Sequence, residues 1–179
     1  GRYKRYPIAG MVVATIGLLL LSSMNPDTPL VVASAYMLTL GAGLGLVMQV
    51  LVIAVQNAVP LSELGSATSA STFFRSLGGS FGTALFGAIL SARLGSEIAR
   101  RLPDVGNAVP IDQLTGSPEV LAQLPTTIRI PVIESFSIAI TDVFTAAIPF
   151  AIVAFFLVLA LPELPLRDTA HVGAPTEIA

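Results

Sequence analysis

Gln49 and Gln56 stand seven residues apart in an otherwise apolar run. Two helical turns bring them onto one face, which they share with Ala42 and Gly45. A glutamine amide facing hydrocarbon loses its hydrogen bonds, at a cost of about 2–7 kcal/mol. It turns instead to protein or to a water-filled cavity. A cavity wall would satisfy Gln49. So would an interhelical hydrogen bond, worth about 0.6–2 kcal/mol. Gln56 lies near the end of the run, where the membrane interface also serves. Met37 and Met48 occupy a neighbouring face, and their thioethers suit a promiscuous apolar pocket or plain filling. The cavity candidates are Gln49, Gln56, Met48, Ala42 and Gly45.

A second group of residues allows close approach rather than chemistry. Gly78 and Gly82 form a GxxxG pair, and Gly79, Thr83 and Gly87 form another small stripe. Gly41, Gly43 and Gly45 repeat the pattern in the amide-bearing run. Helices in lipid associate through close backbone packing, which small residues permit. Each glycine alone reads as packing. Collectively they make a smooth face on which one helix can slide or rock, so Gly41, Gly78, Gly79, Gly82 and Gly87 are the conformational candidates. Arg75 follows Phe73 and Phe74 and reads as a snorkelling cation, or as a gate residue paired with an acid such as Glu63. Asp142 reads as interfacial. At a deeper position it would be a proton-relay candidate.

Several classes are excluded. Cysteine is absent and histidine occurs once, at His171, so no thiolate or paired-histidine metal site is available. No catalytic triad, phosphate loop or paired acid set appears. Gly-Ala-Gly-Leu-Gly at 41–45 has no strand before it, so it is no nucleotide fingerprint. An enzyme, a cofactor and a bound metal are not expected. A net charge of −2 excludes a basic nucleic-acid footprint.

The elements that position these residues follow from the distribution of charge. Of the 179 residues, 54% are hydrophobic and 11% charged, against about 25% charged in a soluble domain. Stretches 7–24, 28–62, 76–92 and 143–162 carry no formal charge. A bilayer core needs about 20 apolar residues per helix, and a charge at its centre costs about 2.5–3.5 kcal/mol. The expected class is therefore an all-α membrane protein with four transmembrane helices. The expected spans are 7–24, 30–56, 72–92 and 143–161. Residues 57–68 read as a polar connection and 93–142 as a long loop, with short interfacial helices at 118–124 and 133–142. Residues 162–179 read as a tail. The first residue is Gly1 and no cleavage pattern follows the first apolar run, so the start reads as a cut within a longer chain.

Four spans put both ends on one side of the membrane. The cation count does not choose that side: Arg2, Lys4, Arg5 and Arg167 on the end segments are matched by Arg93, Arg100, Arg101 and Arg129 in the loop.

Four stretches in order carry a resemblance: Gly41-Ala-Gly-Leu-Gly-Leu-Val-Met-Gln49, Val55-Gln-Asn-Ala-Val-Pro60, Gly65-Ser-Ala-Thr-Ser69 and Phe73-Phe-Arg-Ser-Leu-Gly-Gly-Ser-Phe-Gly82. The chain resembles the C-terminal part of major facilitator superfamily multidrug exporters, above all the fourteen-span EmrB/QacA-type drug–proton antiporters. Gly1-Arg-Tyr-Lys4 and Leu161-Pro-Glu-Leu-Pro-Leu-Arg167 are similar to the segments before the eleventh and after the last span. The resemblance implies spans eleven to fourteen, with both ends cytoplasmic and 93–142 extracytoplasmic. It implies that the second span lines the central cavity and that the third packs between the transporter halves. The implied partners are the lipid bilayer, the other helices of the transporter, a small lipophilic substrate and protons. The implied location is the cell (plasma or inner) membrane. The proton-coupling carboxylate is expected in the other spans. Two alternatives stay open: a four-span structural or scaffold membrane protein, and a metabolite transporter of the same superfamily.

Overall fold

The computed structural model describes residues 3–103 and 125–162. Among these residues the chain forms four long α-helices, one 3-10 turn and no strand. The helices are α1 (Arg5–Ser22), α2 (Leu30–Ala58), α3 (Leu64–Arg101) and α4 (Thr126–Ala160), with the 3-10 turn Leu61–Glu63 before α3. All four are long and apolar enough to cross a membrane.

Prolines punctuate the chain. Val59 before Pro60 and Leu161 before Pro162 are extended, with ψ of 154° and 128°, because a following proline disfavours the α region. Pro29 and Pro125 precede the first residues of α2 and α4. Between α1 and α2 the Asn25 side chain closes the turn. Its Oδ1 accepts from the Asp27 N–H at 3.1 Å and from the Thr28 hydroxyl at 3.3 Å, an Asx turn of the usual kind.

Helix α1 packs tightly on α2. A Cβ on Gly10 would lie 2.7 Å from the Gly43 carbonyl oxygen, and one on Gly17 would lie 2.7 Å from the Leu40 Cα. Only hydrogen fits at these positions, so the two backbones touch. Helix α4 packs on α1, where Met11, Val47 and Val158 form one buried cluster with Ile8, Leu51, Ala154 and Phe155 around it. The Tyr3 hydroxyl donates to the Pro162 carbonyl at 3.3 Å, tying the entry of α1 to the exit of α4.

Helix α3 is held differently. It barely touches α2 and packs on the first half of α4. There Leu94, Ile98 and Ala139 are buried, flanked by Leu90 and Phe136, and Phe86 meets Phe150 edge-on at 5.8 Å. Helix α4 thus carries two separate cores, one toward α3 and one toward α1 and α2.

Helix lengths differ from the expected spans. The 38 residues of α3 and the 35 of α4 correspond to about 57 and 52 Å of rise, against a hydrocarbon core of about 30 Å. The expected loop 93–142 is therefore corrected: residues 93–101 belong to α3 and 126–142 to α4. The expected interfacial helix at 133–142 is part of that same continuous α4. The cause is mutual burial of Leu94, Ile98 and Ala139, which keeps both chains helical beyond the charge-free stretches. The 57–68 connection also shrinks, because α3 begins at Leu64. The expected helix at 118–124, the tail at 163–179 and His171 lie outside the described residues.

Candidate functional site

Helix α2 turns Gly43, Val47 and Ala54 inward, and these are its buried residues. The opposite positions Ala42, Gly45, Gln49 and Gln56 are exposed, and Met48 is 43% exposed. The 3.6-residue period sorts the helix this way: the glycine needed for contact with α1 takes one side, so the amide stripe takes the other. Among the described residues neither glutamine side chain has a hydrogen-bond partner. The stripe is uncovered by this chain, and a Cβ on Gly41 or Gly45 would meet nothing within 4 Å.

Helix α3 shows the same openness. A Cβ on Gly78, Gly79 or Gly87 would meet nothing within 4 Å, and on Gly82 only the edge of Phe86 in its own helix. Phe73, Phe74 and Phe81 are 61%, 67% and 73% exposed on the same segment. Within this chain the close backbone packing comes from Gly10, Gly17 and Gly43 instead. Gly10, Ala14 and Gly17 form a small-residue stripe in the first span, and that spacing was the available signal for it.

Arg75 lies beside Thr68, Ser71 and Thr72 and faces Val52 and Val55 of α2. Glu63 sits at the end of the 3-10 turn. About 18 Å of helical rise separates the two, and among the described residues neither forms an ion pair. This chain does not bring them together.

The charges the structure does bring together lie between α3 and α4. Arg93 Nε stands 3.4 Å from Asp142 Oδ2, and Arg101 pairs with Glu134. Arg100 and Arg101 also hold Glu97, at 2.6 and 3.4 Å. Arg93 and Asp142 terminate the charge-free stretches of their helices at the same end, which places Asp142 beside a cation at the edge of the apolar zone. A cleft of about 450 Å³ opens there, lined by Ile89, Ala92, Arg93, Asp142, Thr145 and Ala146. A second groove of about 200 Å³ is wholly apolar, lined by Val12, Thr15, Ile16, Ile152 and Phe155, and holds none of the sequence candidates. Exposed ion pairs contribute about 0–1 kcal/mol each, so the ladder matters more for geometry than for stability. Its sequence signal is the shared eight-residue spacing of Arg93 and Arg101 on one segment and of Glu134 and Asp142 on the other.

Comparison with known proteins now bears on this arrangement. An uncharacterised MFS-type transporter of Mycobacterium tuberculosis is 45% identical over 172 residues, which is 94% of this chain and 24% of that protein. The multidrug transporter protein MdtP of Bacillus subtilis is 42% identical over 103 residues, 58% of this chain and 19% of that protein. Homologues among MFS-type transporters cover this chain. Multidrug resistance protein 3 of Bacillus subtilis is 27% identical over 179 residues, 94% of this chain and 35% of that protein. The chain thus spans 19–35% of the length of these curated relatives. No protein-family model matches it, and no solved structure does. With four apolar helices and MFS-type homologues, this is an all-α, multi-pass membrane protein, and its relatives are transporters rather than enzymes.

Proposed function

We propose that this chain is the C-terminal part of an MFS-type multidrug exporter of the fourteen-span EmrB/QacA kind, which exchanges protons for small lipophilic compounds by alternating access across the cell membrane. The observation that carries this reading is the uncovered amide stripe of α2. Gln49 and Gln56 need polar company inside a membrane, and this chain offers them none among the described residues. A water-filled cavity shared with the rest of the transporter would supply it. Two relatives bear names that say multidrug.

In this reading Gln49, Gln56, Met48, Ala42 and Gly45 line the cavity. The open face of Gly78, Gly79, Gly82 and Gly87 meets the other half of the transporter, where small residues let helices rock past one another. Gly41 serves the same purpose on α2. Arg75 and Glu63 act as cytoplasmic gate residues through partners elsewhere in the protein. Both ends of the chain are cytoplasmic, and the α3–α4 junction is extracytoplasmic. The proton-coupling carboxylate belongs to the other spans.

The test is Gln49→Leu in the full-length protein, with resistance of expressing cells measured across a panel of lipophilic cations. Altered resistance to at least one compound is expected, and unchanged resistance to all of them removes the cavity assignment. This chain alone, reconstituted in liposomes, is expected to drive no proton-dependent dye efflux.

A further inference from the structure

The ion pairs between α3 and α4 obey one antiparallel register. Arg93 faces Asp142, and eight residues along each helix Arg101 faces Glu134. The ring pair Phe86 and Phe150 keeps the same alignment farther down. Glu97 falls midway between the two arginines, level with Ile138, and is held by Arg100 and Arg101 of its own helix.

This charge pattern opposes sliding. If α3 slips by one turn, four residues, in one direction, Glu97 comes level with Glu134. In the other direction it comes level with Asp142. Either slip sets two carboxylates against each other and leaves both arginine rungs facing uncharged or absent partners. Like charges in contact repel, so both neighbouring registers are penalised and only the observed one satisfies every charge. The apolar contacts impose no such penalty, since Leu90, Leu94 and Ile98 recur along α3 with helical spacing. Rocking that preserves the level of the rungs is left free.

We infer that Arg93, Glu97 and Arg101 of α3, with Glu134 and Asp142 of α4, form a register lock that biases α3 against one-turn translation along α4. This inference does not rest on the exporter reading, because it concerns two helices of this chain whatever the protein moves.

The lock is tested by distance measurement in the full-length protein in liposomes. Nitroxide labels replace Ala99 on α3 and Val153 on α4, both exposed. By the register above they are offset about 25 Å along the helix axes, and a one-turn slip changes that offset by about 6 Å. The unaltered charges are expected to give one narrow distance. The double variant Glu134→Arg/Asp142→Arg opposes cation to cation in the native register and offers Glu97 an arginine after either slip. Its distance distribution is expected to move by the length of one turn. An unmoved distribution overturns the lock.

A milder pair, Glu134→Gln/Asp142→Asn, covers the event that the double arginine variant does not assemble. It is expected to broaden the distribution at least twofold, and an unbroadened one also overturns the proposal. Inverting these five charges together with Arg100, which also holds Glu97, restores complementarity and is expected to restore the narrow distance. If it does not, packing rather than charge sets the register, and the proposal is overturned.

Discussion

Gly43 and Ala14 meet where α1 crosses α2. A Cβ built on Gly43 would stand 2.7 Å from the Ala14 Cα, and the Ala14 backbone nitrogen is closer still. Neither backbone can retreat without opening the cluster that Met11, Val47 and Val158 form. Two glycines on the same helix therefore behave differently. Overpacking a tight contact costs about 1–3 kcal/mol. Gly43→Val is expected to lower the midpoint of detergent-resistant unfolding and to reduce yield severalfold. Gly41→Ala, with nothing within 4 Å of its Cβ, is expected to change this chain's internal packing by less than about 0.5 kcal/mol.

The amide stripe of α2 predicts a substrate-selective phenotype. Gln49→Leu removes one hydrogen-bonding group, typically worth about 0.5–1.5 kcal/mol. Resistance is expected to fall roughly two- to tenfold for compounds that use the amide and to stay level for others. Growth inhibition across structurally distinct compounds reads this out, and Gln49→Asn is expected to retain part of the resistance.

The glycine face of α3 predicts a defect that depends on the rest of the protein. At Gly79→Leu the new Cβ meets nothing within 4 Å in this chain. Its cost in the full-length transporter then arises from the helices proposed to cover it. Transport is expected to drop at least tenfold while the protein still reaches the membrane, as measured by efflux and by immunodetection of the membrane fraction. Normal efflux by Gly79→Leu and Gly78→Leu alike would remove that face from any tight interface.

Sidedness is open to direct labelling. This chain has no cysteine of its own, so single cysteines placed in it are read against the unsubstituted full-length protein as the control. Ala99→Cys is expected to react with a membrane-impermeant maleimide on intact cells. Ser62→Cys is expected to react only after permeabilisation. The reverse pattern would invert the proposed topology.

Different parts of this architecture were legible in the sequence to different degrees. Residues 30–56 were expected as one span, and α2 occupies Leu30–Ala58, because Pro29 and Pro60 write its limits locally. Helices α3 and α4 run past their charge-free stretches for a reason no local pattern contains. Leu94 and Ile98 stay helical because Ala139, distant in sequence, covers them. The amides could be placed on a common face from their spacing alone, since a helical period needs no partner. Which face of α2 meets α1 depends on Gly10 and Gly17 of another span, which no spacing within α2 encodes. The ion pairs are not legible locally, because the eight-residue spacings of Arg93 and Arg101 and of Glu134 and Asp142 acquire meaning only once both segments are helical and antiparallel.

The division of α4 between two cores has a consequence for biogenesis. A chain made from its N-terminus offers its elements to the bilayer in order. Helices α1 and α2 can join as soon as both have emerged, since their contact needs only each other. Within this chain helix α3 has no such earlier companion, because its buried residues face α4, which follows it. Its Leu94 and Ile98 face stays uncovered by this chain until Phe136 and Ala139 leave the ribosome. Any factor that shelters half-made membrane proteins would meet that exposed face between the emergence of the third helix and the fourth.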